Sequence, residues 1–465
     1  MKLKANGWKE VTIADICDDI YDGPHATPKK IDHGPVFLSI SSLVNGRIVL
    51  SESAHLSEKD FAKWTRRITP QTDDLVFSYE TRLGEAALIP EGLRCCLGRR
   101  MALIRPHRDK LDPKFFLYYF LSPLLQNEIR QYTICGSTVE RLALADIRKF
   151  RVLLPPLPEQ RAIASILGAL DDKIELNRRM NATLESLARA IFKSWFVDFD
   201  PVRRNAGLKG EDRSVKGEKT EPDLSPFNIH NSLFPSSFQD SELGKIPAGW
   251  SVCSVGEHVG IKHGYAFKGQ FFQDEATRDV LLTPGNFSVG GGFKGDKLKY
   301  YEGPIDEDYI LYPNDVVVTM TDLSKAGDTL GYPAFVPASE SHRYLHNQRL
   351  GRVNIEPDSP IGNNFVYQTF CTPEYRHHVL ASASGSTVRH SSPDRIRSFN
   401  IVVASPDVHE AFEQLVSPMV ERVSHNERES STLSTLRDTL LPKLLSGELP
   451  VPAALTATQD VLNNA

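Results

Sequence analysis

Two long stretches of the chain place apolar residues at a strict spacing of seven. The first lies between 159 and 196, where there is one glycine and no proline. The positions of this frame are Ile163, Leu170, Asn177, Leu184 and Ile191 in the first stretch and Phe412, Met419, Asn426, Leu433 and Leu440 in the second. A seven-residue apolar repeat is typical of coiled-coil helices. One such stretch also fits an ordinary amphipathic core helix, but two stretches in the same frame predict a pair of long helices packed on each other.

The third of the five frame positions is asparagine in both stretches, at Asn177 and Asn426. A buried asparagine in an apolar seam fixes the register of paired helices, because it is satisfied only opposite a polar partner. If the helices run antiparallel about an axis at their midpoint, the two asparagines face each other. The pair is therefore expected to set how far one helix slides along the other.

A spacing of 249 residues relates the two frames and also relates segments outside the helices. Gly-Ser-Thr-Val occurs at 136–139 and again at 385–388, and the match continues without a gap into the helices. Upstream, once small gaps are allowed, Gly7-Trp8 resembles Gly249-Trp250. The sequence therefore predicts two copies of one unit, a pseudo-two-fold internal repeat.

Each copy begins with a region of mixed secondary structure. Short β-rich runs such as 36–40 and 315–319 alternate with breaks rich in glycine, proline, asparagine and aspartate. A helical stretch is predicted at 115–132. The segment 199–245 is predicted to be an extended linker and the tail 450–465 to be poorly ordered. The fold class is therefore α+β.

Composition and charge limit the class of protein. The 465 residues are 40% hydrophobic and 24% charged, the balance of a folded protein of two to four domains. No apolar run is long enough to span a membrane, no secretory signal is visible and the cysteines form no C-x-x-C pair. We therefore expect a cytoplasmic chain with no membrane partner. The net charge of −5, with a mildly basic N-terminal third, restricts any binding of nucleic acid to local patches.

Motifs for catalysis or metal binding are absent from the sequence. There is no G-x-x-x-x-G-K-[ST] loop for ATP, and the single Pro-Pro pair is not followed by the aromatic residue of an adenine methyltransferase signature. His342 and His346 stand four residues apart without the glutamate of a zinc motif, and they are interpreted as surface or packing residues. Cys95 and Cys96 are interpreted as packing thiols. No catalytic residue and no metal site are predicted.

Several phrases resemble the specificity subunits of type I restriction-modification systems. Residues 154–164 (LPPLPEQRAIA) resemble the opening of that family's central spacer, and 193–202 (KSWFVDFDPV) resemble its end. Residues 436–449 (LRDTLLPKLLSGEL) resemble the second spacer, and 246–250 (IPAGW) resemble the start of the second recognition domain. The second spacer departs from the pattern, because 405–410 reads SPDVHE where the first spacer has the Pro-Pro-Leu-Pro-Glu-Gln phrase.

The resemblance runs from about residue 7 to 450 and implies two similar mixed α/β target recognition domains joined by two long antiparallel coiled-coil helices. The implied boundaries are target recognition domain 1 at 1–156, the first spacer helix at 157–198, the linker at 199–245, target recognition domain 2 at 246–404, the second spacer helix at 405–449 and the tail at 450–465. Each domain is expected to read one half of a bipartite double-stranded DNA target.

The resemblance also implies that the chain is not an enzyme and works within a complex. Methylation (M) subunits are expected to transfer a methyl group from S-adenosylmethionine to adenine N6, and restriction (R) subunits that use ATP and Mg are expected to complete the nuclease. No cofactor is expected on this chain. Two other functions stay open: a non-enzymatic coiled-coil scaffold or adaptor that binds protein rather than DNA, and an enzyme of unrecognised type.

Three kinds of segment are predicted to contact DNA. The loop 22–30 and its counterpart 262–268 combine glycines, which let the backbone approach a phosphate, with lysines that neutralise it. The Gly-Ser-Thr-Val loops offer hydroxyls and amides to phosphate, and three arginines offer paired hydrogen bonds to guanine. The candidates are His25, Thr27, Lys29, Lys30, Arg99, Arg100, Ser137, Thr138, Tyr265, Lys268, Arg349, Ser386 and Thr387. Each of them also fits an ordinary turn, strand or surface residue.

Overall fold

A computed structural model of the chain describes residues 7–135, 139–208, 231–295, 297–324, 326–385 and 388–463. Its contacts divide the chain into two compact units. Unit 1 comprises the chain up to Leu176 and from Glu429 onward, and unit 2 comprises Asn177–Arg428. Each unit therefore contains one mixed region and part of each of the two long helices.

The mixed region of unit 1 combines short strands with short helices. In chain order the strands are β1 (Lys9–Thr12), β2 (Cys17–Asp22), β3 (Ile31–Leu38), β4 (Leu43–Val44), β5 (Arg47–Ile48), β6 (Ala54–His55), β7 (Leu75–Ser78), β8 (Ala86–Leu88), β9 (Cys95–Leu97), β10 (Met101–Pro106), β11 (Ile134–Cys135), β12 (Glu140–Arg141) and β13 (Arg151–Leu154). The helices are α1 (Ile13–Ile16), α2 (Glu58–Trp64), α3 (Pro113–Leu121), α4 (Pro123–Gln131) and α5 (Leu144–Ile147). The largest sheet has the antiparallel order β2-β10-β7-β8, a smaller sheet has the order β6-β3-β9, and β1 pairs with β13.

A long helix, α6 (Leu157–Phe192), follows β13 and continues from unit 1 into unit 2. Prolines 155 and 156 end the strand, and Pro158 stands in the first helical turn, where its missing N–H would have had no helical partner. A π-helical turn at Lys193–Val197 ends the helix.

The described parts of the predicted linker are ordered. Helix α7 (Asp200–Asn205) comes first, and β14 (Phe238–Ser241) pairs with β15 (Gly244–Pro247) in a hairpin. The ring of buried Phe234 lies 5.1 Å from the ring of Trp195. The prediction of an extended linker is therefore wrong for these parts, because their aromatic residues are buried in the core of unit 2.

The mixed region of unit 2 repeats part of the topology of unit 1. Its further strands are β16 (Ser251–Ser254), β17 (Val259–His263), β18 (Phe272–Gln273), β19 (Asp279–Leu282), β20 (Tyr300–Tyr301), β21 (Ile310–Leu311), β22 (Val316–Thr319), β23 (Thr321–Asp322), β24 (Pro333–Phe335), β25 (Arg343–His346), β26 (Leu350–Ile355), β27 (Arg389–His390) and β28 (Asn400–Val403). Its helices are α8 (Asn363–Phe370), α9 (Pro373–Ser382) and α10 (Pro393–Arg397). The sheet β17-β26-β22-β24 has the same order as β2-β10-β7-β8, and β16 pairs with β28 as β1 does with β13. A five-stranded sheet, β18-β20-β19-β25-β21, has no equivalent of the same size among the described residues of unit 1.

The second long helix, α11 (Pro406–Leu445), packs antiparallel to α6 within unit 1. Nζ of Lys173 lies 3.0 Å from Oε1 of Glu429. Two residues earlier on α6, Asp171 accepts a hydrogen bond from Nη1 of Arg437 at 2.7 Å. An earlier residue of one helix thus meets a later residue of the other, which defines the antiparallel direction.

The same direction holds within unit 2, where the two frame asparagines meet and are both buried. Nδ2 of Asn177 donates to the backbone carbonyl of Asn426 at 3.4 Å, and Nδ2 of Asn426 donates to Oδ1 of Asn181 at 2.7 Å. Asn181, one turn after Asn177, is a partner that the heptad frame does not indicate. Of the other frame residues, Leu184 is half-buried, and the buried ones are Ile163, Leu170, Ile191, Phe412, Met419, Leu433 and Leu440.

The C-terminal tail forms a helix, α12 (Val451–Asn463). Helix α11 ends before it because Gly447, with φ of +72°, takes the left-handed conformation that stops a helix. Ala454 is buried, and Val451 and Val461 pack against the core of unit 1. The prediction of a poorly ordered tail is therefore wrong, because these apolar residues form one helical face that the core covers.

Candidate nucleic-acid interface

In unit 1 the largest sheet brings several predicted DNA-contact segments to one edge. Strand β2 ends at Asp22 beside the start of β10, and N of Gly23 donates to O of Met101 at 2.9 Å. Strand β7 ends at Ser78, which also pairs with Met101. Because β2 and β7 end where β10 begins, the loops after them lie together with the turn 98–100 that leads into β10.

The segment that follows the first Gly-Ser-Thr-Val motif reaches the same place. N of Leu142 donates to O of Tyr79 at 2.9 Å, and N of Thr81 donates to O of Glu140 at 3.1 Å. We call this assembly of loops edge 1; it consists of residues 22–30, 79–85, 98–100 and 139–142.

Glycine is required where two of these loops touch. A Cβ on Gly23 would lie under 3.0 Å from the carbonyl oxygen of Gly98, a separation that real Cβ atoms essentially never show. The glycine therefore lets the loop after β2 pack directly on the turn before β10. This close approach explains why the 22–30 loop has glycine at position 23.

Edge 1 separates the two adjacent arginines into different roles. Arg100 has a positive φ of 73°, its Nε lies 3.0 Å from Oε2 of Glu80, and its Nη1 donates to Oγ1 of Thr81 at 3.1 Å. These contacts hold Arg100 to the neighbouring loop. Arg99 is exposed and forms no ion pair among the described residues. Of the two, Arg99 is thus the side chain available to a ligand.

The loop after β2 presents several side chains to solvent. His25 is exposed, and its Nε2 lies 3.1 Å from Oδ2 of Asp22, which also pairs with Arg67. Thr27, Lys29 and Lys30 are exposed as well, and neither lysine forms an ion pair in the part of the chain that the structure describes. Both ammonium groups are therefore available to neutralise a phosphate.

Unit 2 builds an equivalent edge. Strand β17 ends at His263 beside Gly351 of β26, and N of Tyr265 donates to O of His346 at 2.8 Å. N of Met320, just after β22, donates to O of Arg349 at 2.9 Å. We call this assembly edge 2; it consists of residues 262–268, 320–324, 326–331, 347–349 and 388–391.

Gly264 corresponds to Gly23 in this contact. A Cβ on Gly264 would lie under 3.0 Å from the carbonyl oxygens of both His346 and Asn347. N of Gln348 donates in turn to O of Tyr265 at 3.0 Å. The two loops are thus joined by two backbone hydrogen bonds of Tyr265, the residue next to the glycine.

Edge 2 carries an exposed aromatic residue as well as exposed cations. The ring of Tyr265 is 5.2 Å from the rings of both Phe267 and Tyr309, yet the residue remains 43% exposed. Lys268 and Arg349 are exposed and form no ion pair among the described residues. The edge therefore offers two free cations beside a ring that its neighbours hold in place.

The predicted hydroxyl contacts Ser137, Thr138, Ser386 and Thr387 lie outside the described residues. Their flanks are described and close each loop, because Cys135 pairs with Glu140 and Ser384 bridges to His390.

Sequence reasoning missed the segments 320–324 and 326–331 of edge 2. The buried carboxylate of Asp322 accepts from N of Ser324 at 2.7 Å and from Oγ1 of Thr329 at 2.7 Å. Burial opposes ionisation of this group, but the hydrogen bonds outweigh it and hold its pKa below the ordinary value. The ionised group fixes a loop in which Leu323 is 65% exposed. No motif marks this loop, because its place at the edge depends on the order of strands in the sheet.

His346 and the vicinal cysteines have packing environments. His346 is buried and its Nε2 donates to O of Leu350 at 2.9 Å, while burial lowers its pKa to about 4. Burial raises the pKa of both Cys95 and Cys96 to about 12. Across the described ranges, no three His, Cys, Asp or Glu side chains are grouped so that they could hold a metal ion. None of the helices in those ranges is long and apolar enough to cross a membrane.

Comparisons with known proteins agree on one family. Residues 5–186 match the family model described as type I restriction modification DNA specificity domain. The chain is 24% identical to the type I restriction enzyme HindI specificity subunit of Haemophilus influenzae, over 95% of this chain and 99% of that one. It is 23% identical to the type I restriction enzyme MjaIX specificity subunit of Methanocaldococcus jannaschii, over 85% and 82% of the two chains.

A solved structure supports the fold. The crystal structure of the type I restriction-modification system S subunit from M. genitalium superposes with a TM-score of 0.55 at 15% sequence identity. The alignment covers 96% of this chain and 98% of that one. Long helices combined with regions of mixed helix and strand are thus a feature that the two folds share.

Proposed function

We propose that this chain belongs to the type I restriction-modification specificity subunits and that edges 1 and 2 each read one half of a bipartite DNA target. The observation that carries the proposal is the repeated construction of the edges. In each unit, loops that are far apart in sequence meet at the same end of a sheet of the same strand order, and each edge presents unpaired cations. Two similar surfaces on one chain suit two separate half-sites.

Within each edge we assign different tasks to different side chains. Lys29 and Lys30 on edge 1 and Lys268 on edge 2 contact phosphates, because a flexible ammonium group binds a point charge. Arg99 and Arg349 read guanine, because a guanidinium donates two parallel hydrogen bonds to O6 and N7. Arg100 positions its loop instead of reading a base, since Glu80 and Thr81 already hold it.

We propose that the two long helices form the scaffold on which the recognition regions stand. The proposed domain boundaries remain 1–156 and 246–404, with the spacer helices between and after them. The seam supports an antiparallel coiled coil, and the polar contact of Asn177 with Asn426 supports a fixed register.

We further propose that the chain works in the cytoplasm with methylation and restriction subunits, which hold S-adenosylmethionine, ATP and Mg. The net charge of −5 supports weak DNA binding by the isolated chain and tighter binding in the complex, since few surplus cations are available for phosphate contacts. The adaptor alternative, in which the chain binds only protein, is not favoured by its relatives.

The test is a map of methylated adenines in cells that carry the chain with its methylation subunits. Arg99→Ala is expected to relax or abolish recognition in one half of the methylated sequence, and Arg349→Ala in the other half. Each lost bidentate contact corresponds to about 1–3 kcal/mol of discrimination. Lys114→Ala is the matched control, because Lys114 is exposed but follows the opposite end of β10. Unchanged motifs in both arginine variants would refute the assignment.

A further inference from the structure

A cavity of about 380 Å³ opens in unit 2 between the long helices and the mixed region. This volume lies within the range of small-ligand sites. Helix α6 contributes Glu185 and Arg189, helix α11 contributes Glu427, and the mixed region contributes Tyr367 and Gln368. The cavity does not include any residue that we assigned to DNA contact.

One wall of the cavity is aromatic and closely packed. Gly290, Gly291 and Gly292 all have positive φ angles, between 95° and 101°. A Cβ on Gly291 would lie 3.3 Å from the hydroxyl of Tyr367. The ring of Tyr367 stacks on that of Phe335 with centroids 4.5 Å apart. This wall is therefore held in place by a glycine turn on one side and a ring on the other.

The cavity combines two carboxylates, those of Glu185 and Glu427, with one cation, Arg189. Gln368 is only 6% exposed, and its side chain forms no hydrogen bond with any described residue. Glu427 forms no ion pair within the described ranges, whereas Glu185 has Arg189 one turn away on the same helix. Burial and then the neighbouring Glu185 raise the pKa of Glu427 to about 7. A buried amide, two carboxylates and one guanidinium thus line one space, with an excess of negative charge.

The acidic pair is not part of the repeated scaffold. At the spacing of 249 residues, Glu185 corresponds to Ser434 and Glu427 corresponds to Arg178. Packing requirements that are common to both copies therefore do not account for the two carboxylates. A cationic ligand between the two carboxylates would add to the neutralisation that Arg189 gives Glu185.

We propose that this cavity binds a guanidinium or ammonium group at the end of a short aliphatic chain. The carboxylates of Glu185 and Glu427 and Oε1 of Gln368 accept its hydrogen bonds, and the Tyr367 wall packs against its apolar part. Either a free amine or a basic side chain of a partner subunit carries this chemistry. The site goes beyond the proposed reading of DNA and does not depend on it.

The first test titrates the full-length chain with agmatine, a guanidinium on a four-carbon amine, by calorimetry at low salt. We expect saturable binding that weakens about tenfold or more in Glu427→Gln and in Gln368→Leu, since a tenfold change equals about 1.4 kcal/mol. Glu421→Gln is the matched control, because Glu421 is exposed on the same helix and does not line the cavity. Circular dichroism checks that each variant is folded. Absence of saturable binding, or equal binding by wild type and Glu427→Gln, would overturn the proposal.

The second test repeats the titration with the chain bound to its methylation subunits. Loss of agmatine binding on assembly, restored when agmatine is in excess, supports a basic side chain of the partner as the natural occupant. Agmatine binding that persists in the complex supports a free amine. Neither test uses DNA, so a failure here leaves the DNA-reading proposal intact, and a failure of DNA reading leaves these isotherms unchanged.

Discussion

Replacing Gly264 by alanine tests whether the geometry of edge 2 controls recognition of one half-site. The new methyl group would lie under 3.0 Å from two backbone oxygens, those of His346 and Asn347. Since ordinary carbon contacts lie at about 3.5–4.0 Å, the loop 262–268 must move away from the turn 347–349 by about 1 Å.

That movement strains two backbone hydrogen bonds, Tyr265 N to His346 O at 2.8 Å and Gln348 N to Tyr265 O at 3.0 Å. Overpacking of this kind costs about 1–3 kcal/mol, and each weakened hydrogen bond adds about 0.5–1.5 kcal/mol. Gly269→Ala is the matched control on the following turn, because a Cβ on Gly269 meets no atom within 4 Å.

The assay is the methylated-adenine map described above, combined with thermal unfolding of both variants. Gly264→Ala is expected to lower methylation at sites that depend on the half-site of edge 2 and to leave the other half of the motif unchanged. Gly269→Ala is expected to behave as wild type. If the two variants gave the same map, the close contact of the loops would not control recognition, and this account of edge 2 would be wrong.

Three further predictions concern charged groups on the long helices. Glu413→Ala should lower the free energy of unfolding by about 2–4 kcal/mol and speed amide exchange at the start of α8. The reason is that its carboxylate accepts from N of Phe365 at 2.9 Å and stands in for a capping side chain. Glu410→Ala, on the exposed face, should lower the free energy of urea unfolding by under about 0.5 kcal/mol. Asp171→Ala should destabilise unit 1 by about 2–3 kcal/mol, since this carboxylate accepts from a tyrosine hydroxyl at 2.6 Å and an arginine at 2.7 Å. Asp172→Ala should have little effect, because the neighbouring Asp172 is exposed. Burial, and then repulsion from a second carboxylate, raise the pKa of Glu427 from 4.5 to about 7, so its stabilising contribution is full below about pH 4.5 and is lost as the pH rises through 7. Between pH 5 and pH 8, Glu427→Gln should lose less free energy of unfolding than wild type does. An identical loss in both proteins would contradict the shift in pKa.

Local sequence patterns were sufficient for the helices and strands that repeat. The heptad frame depends only on which side of a helix is apolar, so it predicted α6 and α11 without knowledge of their partners. Short β-branched runs predicted strands such as Val316–Thr319 for the same reason. The spacer phrases indicate the family in the same way, because each is a run of contiguous residues and needs no contact between distant segments.

The tertiary structure decided which loops meet. Edge 2 combines segments near residues 265, 322, 348 and 390, and only the strand order β17-β26-β22 places them at one end of a sheet. The burial of Asp322 follows from that order. Its hydrogen bonds to loop amides have no signature in the sequence, because they do not require a fixed spacing between residues.

The order of the tail and of the described parts of the linker also depends on tertiary contacts. Helix α12 is too short to be stable by itself, and the burial of Ala454 in the core of unit 1 stabilises it. The acidic cavity is a further case, since Glu185, Gln368 and Glu427 come from three distant segments. Sequence determines what each segment prefers locally, whereas contacts between distant segments set the environment that gives a side chain its pKa, its partners and its function.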